Sequence, residues 1–114
     1  MNFTIAIREA GTIRIVDASG RVTIGESSDH LHRELRDLAD HGSCRILVNL
    51  TDVAQIDSSG ISTLVRNSIS LTRAGGSLRL LVGPGRVRDA LTVTRLIEAI
   101  PTFSDEATAL ASFP

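Results

Sequence analysis

The stretch that decides the fold is ILVNLTDVAQIDSSGISTLV, Ile46–Val65. With Arg45 it opens as RILVNL, a compact apolar run with little polar alternation, and predicts a strand buried on both faces. Thr51-Asp52 is a polar break at which Asp52 is expected to end the strand, although Val53 and Ile56 stay apolar after it. From Ser58 to about Ala74, Ile61, Leu64, Val65 and Ile69 return at helical spacing and predict one apolar stripe, stopped by Gly75-Gly76. Strand and helix meet at IDSSGI, Ile56–Ile61, where a carboxylate and two hydroxyls stand side by side.

Working outward, SLRLLV at 77–82 reads as another buried strand, followed by a turn at Gly83-Pro84-Gly85. Val87, Ala90, Leu91 and Val93 predict a third helix, with Leu96, Ile97 and Ile100 continuing apolar up to Pro101. Thr102-Phe103 fits a short strand, and Ser104-Asp105-Glu106 caps a last helix carrying Ala107, Leu110 and Ala111. Upstream, Phe3, Ile5 and Ile7 alternate with polar or small residues, and Ile13 and Ile15 do so after a break at Glu9-Ala10-Gly11. This is a hairpin pattern. Val22 and Ile24 weakly extend it after a turn expected at Ser19-Gly20. Ser27, Ser28 and Asp29 are candidate caps for a helix whose Leu31, Leu35 and Leu38 form a stripe ending near Gly42.

The late alternation of strand and helix implies parallel strands, and the opening hairpin makes the sheet mixed. The expectation is an α/β fold in one domain over residues 1–114, with about four α-helices. The 114 residues suffice for one core. With three Phe and no Trp or Tyr, that core is aliphatic, and stacking platforms for single-stranded nucleic acid are not expected. A net charge of −1 creates no field to draw nucleic acid or anionic lipid. The chain has one Cys, Cys44, expected as a small buried apolar residue in a reducing compartment. No apolar run reaches the length of a membrane span and no signal peptide is visible, so the expectation is a cytoplasmic protein without membrane insertion.

Catalytic patterns are sparse. His30 and His32 lie two apart on a helix and point in different directions, unlike a zinc-binding pair, so they are expected to be solvated, with no metal and no cofactor. Gly83-Pro84-Gly85-Arg86 lacks the GxxxxGK of a phosphate loop and the GxGxxG of a dinucleotide site, and Arg86 and Arg88 read as a solvated helix start. Asp-Ser-Ser-Gly departs from the GxSxG of a nucleophile elbow, and no His follows Ser58. At the IDSSGI junction the residues alone support two readings. In one, Asp57 or Ser58 caps the helix and Gly60 lets the backbone pass close to a neighbour. In the other, an exposed serine in the first turn is a phosphorylation site, where a phosphate brings about −1.5 to −2 charges without unfolding the domain.

The run Ile46–Val65 resembles the core signature of the STAS domain, found in bacterial anti-sigma factor antagonists and in sulfate transporter tails. Leu50, Asp52, the apolar residue at 56 and Asp57-Ser58-Ser59-Gly60 carry the likeness, and AGGSLRLLVGPGRVRDALTVTRL downstream fits it. Thr94-Arg95-Leu96 stands where the family often has Ser-Gly-Leu or Thr-Gly-Leu, and Gly20–Ser28 is unlike its usual Gly-Glu-Leu-Asp stretch. The resemblance implies a non-enzymatic anti-sigma factor antagonist. Its unphosphorylated form binds an anti-sigma factor that is also a serine kinase, and so frees the sigma factor. Phosphorylation at Ser58 breaks the complex, and a PP2C-type phosphatase resets it. Asp57 would then shape local charge, Ser59 support the turn or touch the partner, and Gly60 allow close approach of the kinase. The alternative role in the family is a scaffold, or an accessory subunit of a signalling or transport complex.

Overall fold

The computed structural model describes residues 2–114. Five strands form one sheet in the order β1-β2-β3-β4-β5. They are β1 (Thr4–Ala10), β2 (Ile13–Val22), β3 (Arg45–Ile56), β4 (Ser77–Leu81) and β5 (Thr102–Phe103). β1 and β2 are an antiparallel hairpin, and every later pair is parallel. The connections carry α1 (Glu26–Asp40), α2 (Ser58–Arg73), α3 (Arg86–Val93) and α4 (Leu96–Ala99), and α5 (Glu106–Ala111) follows β5. This is the mixed sheet that the hairpin and the strand–helix alternation imply.

The sheet has two unlike faces. Val16, Val22, Ile46, Val48, Leu50, Leu78 and Leu80 point to one, where Leu31 and Leu35 of α1, Leu64 and Leu71 of α2 and Leu91 of α3 close the main core. Ile15, Leu47 and Leu81 point to the other, where Ala109 of α5 seals a smaller cluster with Phe103, Leu110 and Phe113 packed against it. β3 is apolar on both sides because both faces are covered at its centre. A polar ladder continues this second face. Asn49 Nδ2 donates to Asp17 Oδ1 at 2.8 Å, and Arg8 Nη2 donates to Asp17 Oδ1 at 2.9 Å and to Glu106 Oε1 at 2.6 Å.

Several local expectations are corrected. No turn occurs at Ser19-Gly20; β2 runs straight through it with register shifts on either side. Gly20 takes φ +108°, and a Cβ there would lie 2.7 Å from Asn2 O, so the glycine serves a bulge under the incoming chain rather than a hairpin. Asp52 does not end β3, which continues to Ile56 along the Ser19–Val22 stretch of β2. The α2 stripe is rotated from the expected one. Gly60, Thr63, Leu64, Asn67 and Leu71 are buried, while Ile69 is 47% exposed. Val93 is likewise turned out, and Cys44 is exposed rather than buried. His30 and His32 are half-buried, not fully solvated: His30 meets the Phe3 ring edge-on, and His32 Nδ1 accepts from Asn67 Nδ2 at 3.0 Å.

The expected third helix is two, which raises the count from about four helices to five. The break falls at Arg95, which adopts φ 61°, ψ 17° and is the one non-glycine with positive φ among the described residues. This is the position where the resemblance noted above implies a glycine, and the backbone has the left-handed conformation that glycine suits. Arg95→Gly is expected to raise stability by about 1 kcal/mol, the relief of left-handed strain exceeding the entropy glycine adds to the unfolded chain; urea denaturation measures it.

The polar ladder has a pH signature. The Arg8 guanidinium, hydrogen-bonded to Asp17 and aided by Asn49, holds the Asp17 carboxyl below its ordinary value. A carboxyl depressed in the folded state contributes stability above the unfolded pKa, about 4, and loses it as pH falls through the folded pKa. Asp17→Asn is therefore expected to be less stable than the native chain at neutral pH, with the gap closing below about pH 4. A gap that stays constant from neutral to acidic pH in urea titrations would show that the ladder does not act this way.

Candidate functional site

The carboxyl end of β3 delivers Asp57 to the start of α2, beside the β2–α1 connection. Parallel strands open their crevices at such ends. Asp57 leaves the strand with φ −112°, ψ −173°, an extended conformation suited to an N-cap. Its Oδ1 accepts from Ser59 N at 2.9 Å and from Gly60 N at 3.2 Å. Its Oδ2 accepts from Ile24 N at 2.9 Å, across 33 positions of sequence. Its own N–H donates to Val22 O at 3.1 Å. Asp57 therefore caps α2 and also ties the β3–α2 junction to the β2–α1 junction.

Ser58 is the first residue of α2 and is exposed. Its hydroxyl makes no hydrogen bond among the described residues, and its backbone N–H is not one that Asp57 receives. Ser59 is half-buried. The structure thus brings Asp57, Ser58 and Ser59 to one surface edge, with only Ser58 fully presented.

Gly60 takes the role read from the residues alone, letting the backbone pass close to a neighbour. It is buried, and a Cβ there would lie 2.7 Å from Ile56 Cγ1, 2.8 Å from Val22 Cγ1 and 2.9 Å from Val22 O. The close approach it permits is that of α2 to the ends of β2 and β3, so it offers no open surface to a kinase.

Sequence reading missed the α1 side of the site. The expected caps Ser27 and Ser28 lie inside α1, which starts one residue after Gly25. Ser27 Oγ accepts from Thr23 N at 2.9 Å and donates to Thr23 O at 3.1 Å. Ser28 is turned inward and only 5% exposed. Ile24, a weak strand candidate, instead stands 80% exposed beside Asp57. Ser28, Asp29, Ser58, Ser62 and Arg66 line one cleft of about 240 Å³ between the two helix starts. The spacing of Ser58, Ser62 and Arg66 is readable as one helical column; the partnership with α1 depends on tertiary folding. Among the described residues no group of three His, Cys, Asp or Glu is placed to hold a metal. No helix is long and apolar enough to cross a membrane.

Gly60→Ala tests the seating of α2. Overpacking against the Val22 carbonyl costs about 1–3 kcal/mol, set against a helix-propensity gain of about 1 kcal/mol. The expected outcome is a net loss, seen as a lower urea midpoint with an unchanged slope.

Comparison with known proteins places this geometry. The STAS domain family model matches residues 4–109. No curated protein matches the chain. An anti-sigma factor antagonist from Mycobacterium paratuberculosis has the same fold, with a TM-score of 0.87 at 17% identity, over 98% of this chain and 94% of that one. The Bacillus cell fate determinant SpoIIAA in its phosphorylated form gives 0.70 at 16% identity, over 96% of this chain and 97% of that one. A sulfate transporter family protein from Wolinella succinogenes gives 0.71 at 24% identity, over 90% of this chain and 84% of that one. With the family model covering nearly its whole length, the chain belongs to the STAS domain family.

Proposed function

We propose that this chain, acting as one domain over residues 1–114, is an anti-sigma factor antagonist controlled by phosphorylation at Ser58. The observation that carries the reading is an exposed, unbonded serine hydroxyl at the first position of α2, next to a cap already made by Asp57. Two structural neighbours are named as anti-sigma factor antagonists or phosphorylated determinants, which supports the assignment to this branch of the family.

In this reading the unmodified protein docks an anti-sigma factor serine kinase through Asp57, Ser58 and Ser59, with Gly60 holding the turn that presents them. The kinase transfers the γ-phosphoryl group of ATP. A bond forms between Ser58 Oγ and phosphorus, the bond from phosphorus to the ADP oxygen breaks, and the hydroxyl proton passes to the kinase's base. About −1.5 to −2 charges then sit at the centre of the docking edge, beside Asp57, and the complex separates. A PP2C-type phosphatase hydrolyses the phosphoserine and restores the binder. The chain is substrate and binder in this cycle, not an enzyme, and works in the cytoplasm. The scaffold and transport-subunit readings rest on the shared fold alone.

Incubation with the cognate kinase and labelled ATP is expected to modify the native chain and leave Ser58→Ala unlabelled. Ser58→Asp is expected to bind the kinase at least about tenfold more weakly by calorimetry, ~1.4 kcal/mol. Undiminished labelling of Ser58→Ala would overturn the assignment.

A further inference from the structure

We propose that the cleft between the first turns of α1 and α2 is a phosphate-receiving site whose occupant is the phosphoryl group carried by Ser58. This inference rests on the phosphorylation reading above and specifies where the added group goes. Three observations support it.

The first is Ser28. Its residue is 5% exposed, yet its Oγ has no hydrogen-bond partner, the one such buried side-chain atom among the described residues. A buried hydroxyl left unmatched is costly, and this one lines the cleft that Ser58 also lines. It is a donor without a protein acceptor in the wall of that cleft.

The second is Arg66, which is exposed and makes no ion pair or side-chain hydrogen bond among the described residues, although it lines the same cleft. Ser58, Ser62 and Arg66 follow at i, i+4 and i+8, one column on α2. Helical side chains lean toward the N-terminus, which from Arg66 is the direction of Ser62 and Ser58. The rise from Ser58 to Arg66 is about 12 Å, with the Ser62 hydroxyl between them, and the long arginine side chain must cover most of it because a phosphoserine at 58 leans toward the N-terminus too.

The third is the start of α2 itself. Asp57 takes the N–H groups of Ser59 and Gly60 and leaves that of Ser58, so the helix end still offers a donor and its positive dipole. The charged groups facing the cleft are Arg66 from α2, Asp29 from α1 and the cap Asp57. Asp29 and Asp57 are the opposing charges, and both Asp57 oxygens are held in place by backbone N–H bonds. Glu26, Arg21 and His30 lie in the neighbouring cleft on the other side of Ile24.

The test uses the full chain with phosphoserine installed at position 58 during translation, so that no kinase is required. Phosphorus NMR follows the second ionisation of the phosphate. Donors and a cation stabilise the dianion, so the native phosphoprotein is expected to titrate about half a pH unit below its Arg66→Gln form. Ser28→Ala is expected to move the midpoint up as well, Arg66→Lys to keep part of the depression, and Asp29→Asn to lower it further. Coincident titrations of the native and Arg66→Gln phosphoproteins would overturn the cleft while leaving kinase labelling of Ser58 untouched. Absence of labelling, with the titrations separated as expected, would overturn the kinase cycle and not the cleft.

Discussion

The Asp57 carboxylate is the interaction on which this end of the molecule depends. One side chain accepts three backbone N–H groups, two from the first turn of α2 and one from Ile24. Such bonds to an ionised acceptor are stronger than neutral ones. The first two start α2 at a fixed residue. The third fixes the β2–α1 connection against it. The two helix starts that frame the cleft are therefore placed by the same group, and neither can shift without loosening the other.

That placement also needs α2 to sit close to the sheet. Gly60 supplies the closeness, because its missing Cβ is the space into which Val22 and Ile56 fit. Leu64 and Leu71 then fall onto the main core, and the polar residues Thr63 and Asn67 share the buried face. Asn67 is satisfied there by Thr63 O at 2.8 Å and by His32. The motif Asp-Ser-Ser-Gly thus divides its labour. The aspartate and glycine build the junction, and of the serines between them Ser58 is left fully exposed and Ser59 half-buried.

Much of this was legible in the residues. Period-two alternation marked the hairpin, compact apolar runs marked β3 and β4, and the caps of α2 and α5 fell within the candidates Asp57-Ser58 and Ser104-Asp105-Glu106. What was not legible depended on partners distant in sequence. The Thr51-Asp52 break looked like a strand end, because only the β2 backbone alongside shows that the ladder continues. Ile69 and Val93 looked like core by type and spacing, but the buried stripe of α2 is centred about a third of a turn away, on Gly60, Thr63, Leu64, Asn67 and Leu71, and Val93 at the end of α3 is exposed. Cys44 looked buried by its composition, whereas its position in the short α1–β3 connection exposes it. Ser28 and Ile24 entered the site only through tertiary contact, and a single sequence has no signal for that.

The same arrangement explains how one modification could alter binding without altering fold. A phosphate competing for the helix cap would have to displace Asp57, and that would loosen both junctions. Asp57 is already bonded through both oxygens, so the cap is not on offer. A phosphoryl group on Ser58 finds instead the Ser58 N–H, the dipole of a sixteen-residue helix and the cleft beside it. Its charge is accommodated next to the cap rather than in place of it. The domain keeps its packing, and the change is confined to the electrostatics of one exposed edge. A partner that docks on that edge with an acidic or easily desolvated surface would then be released by charge alone.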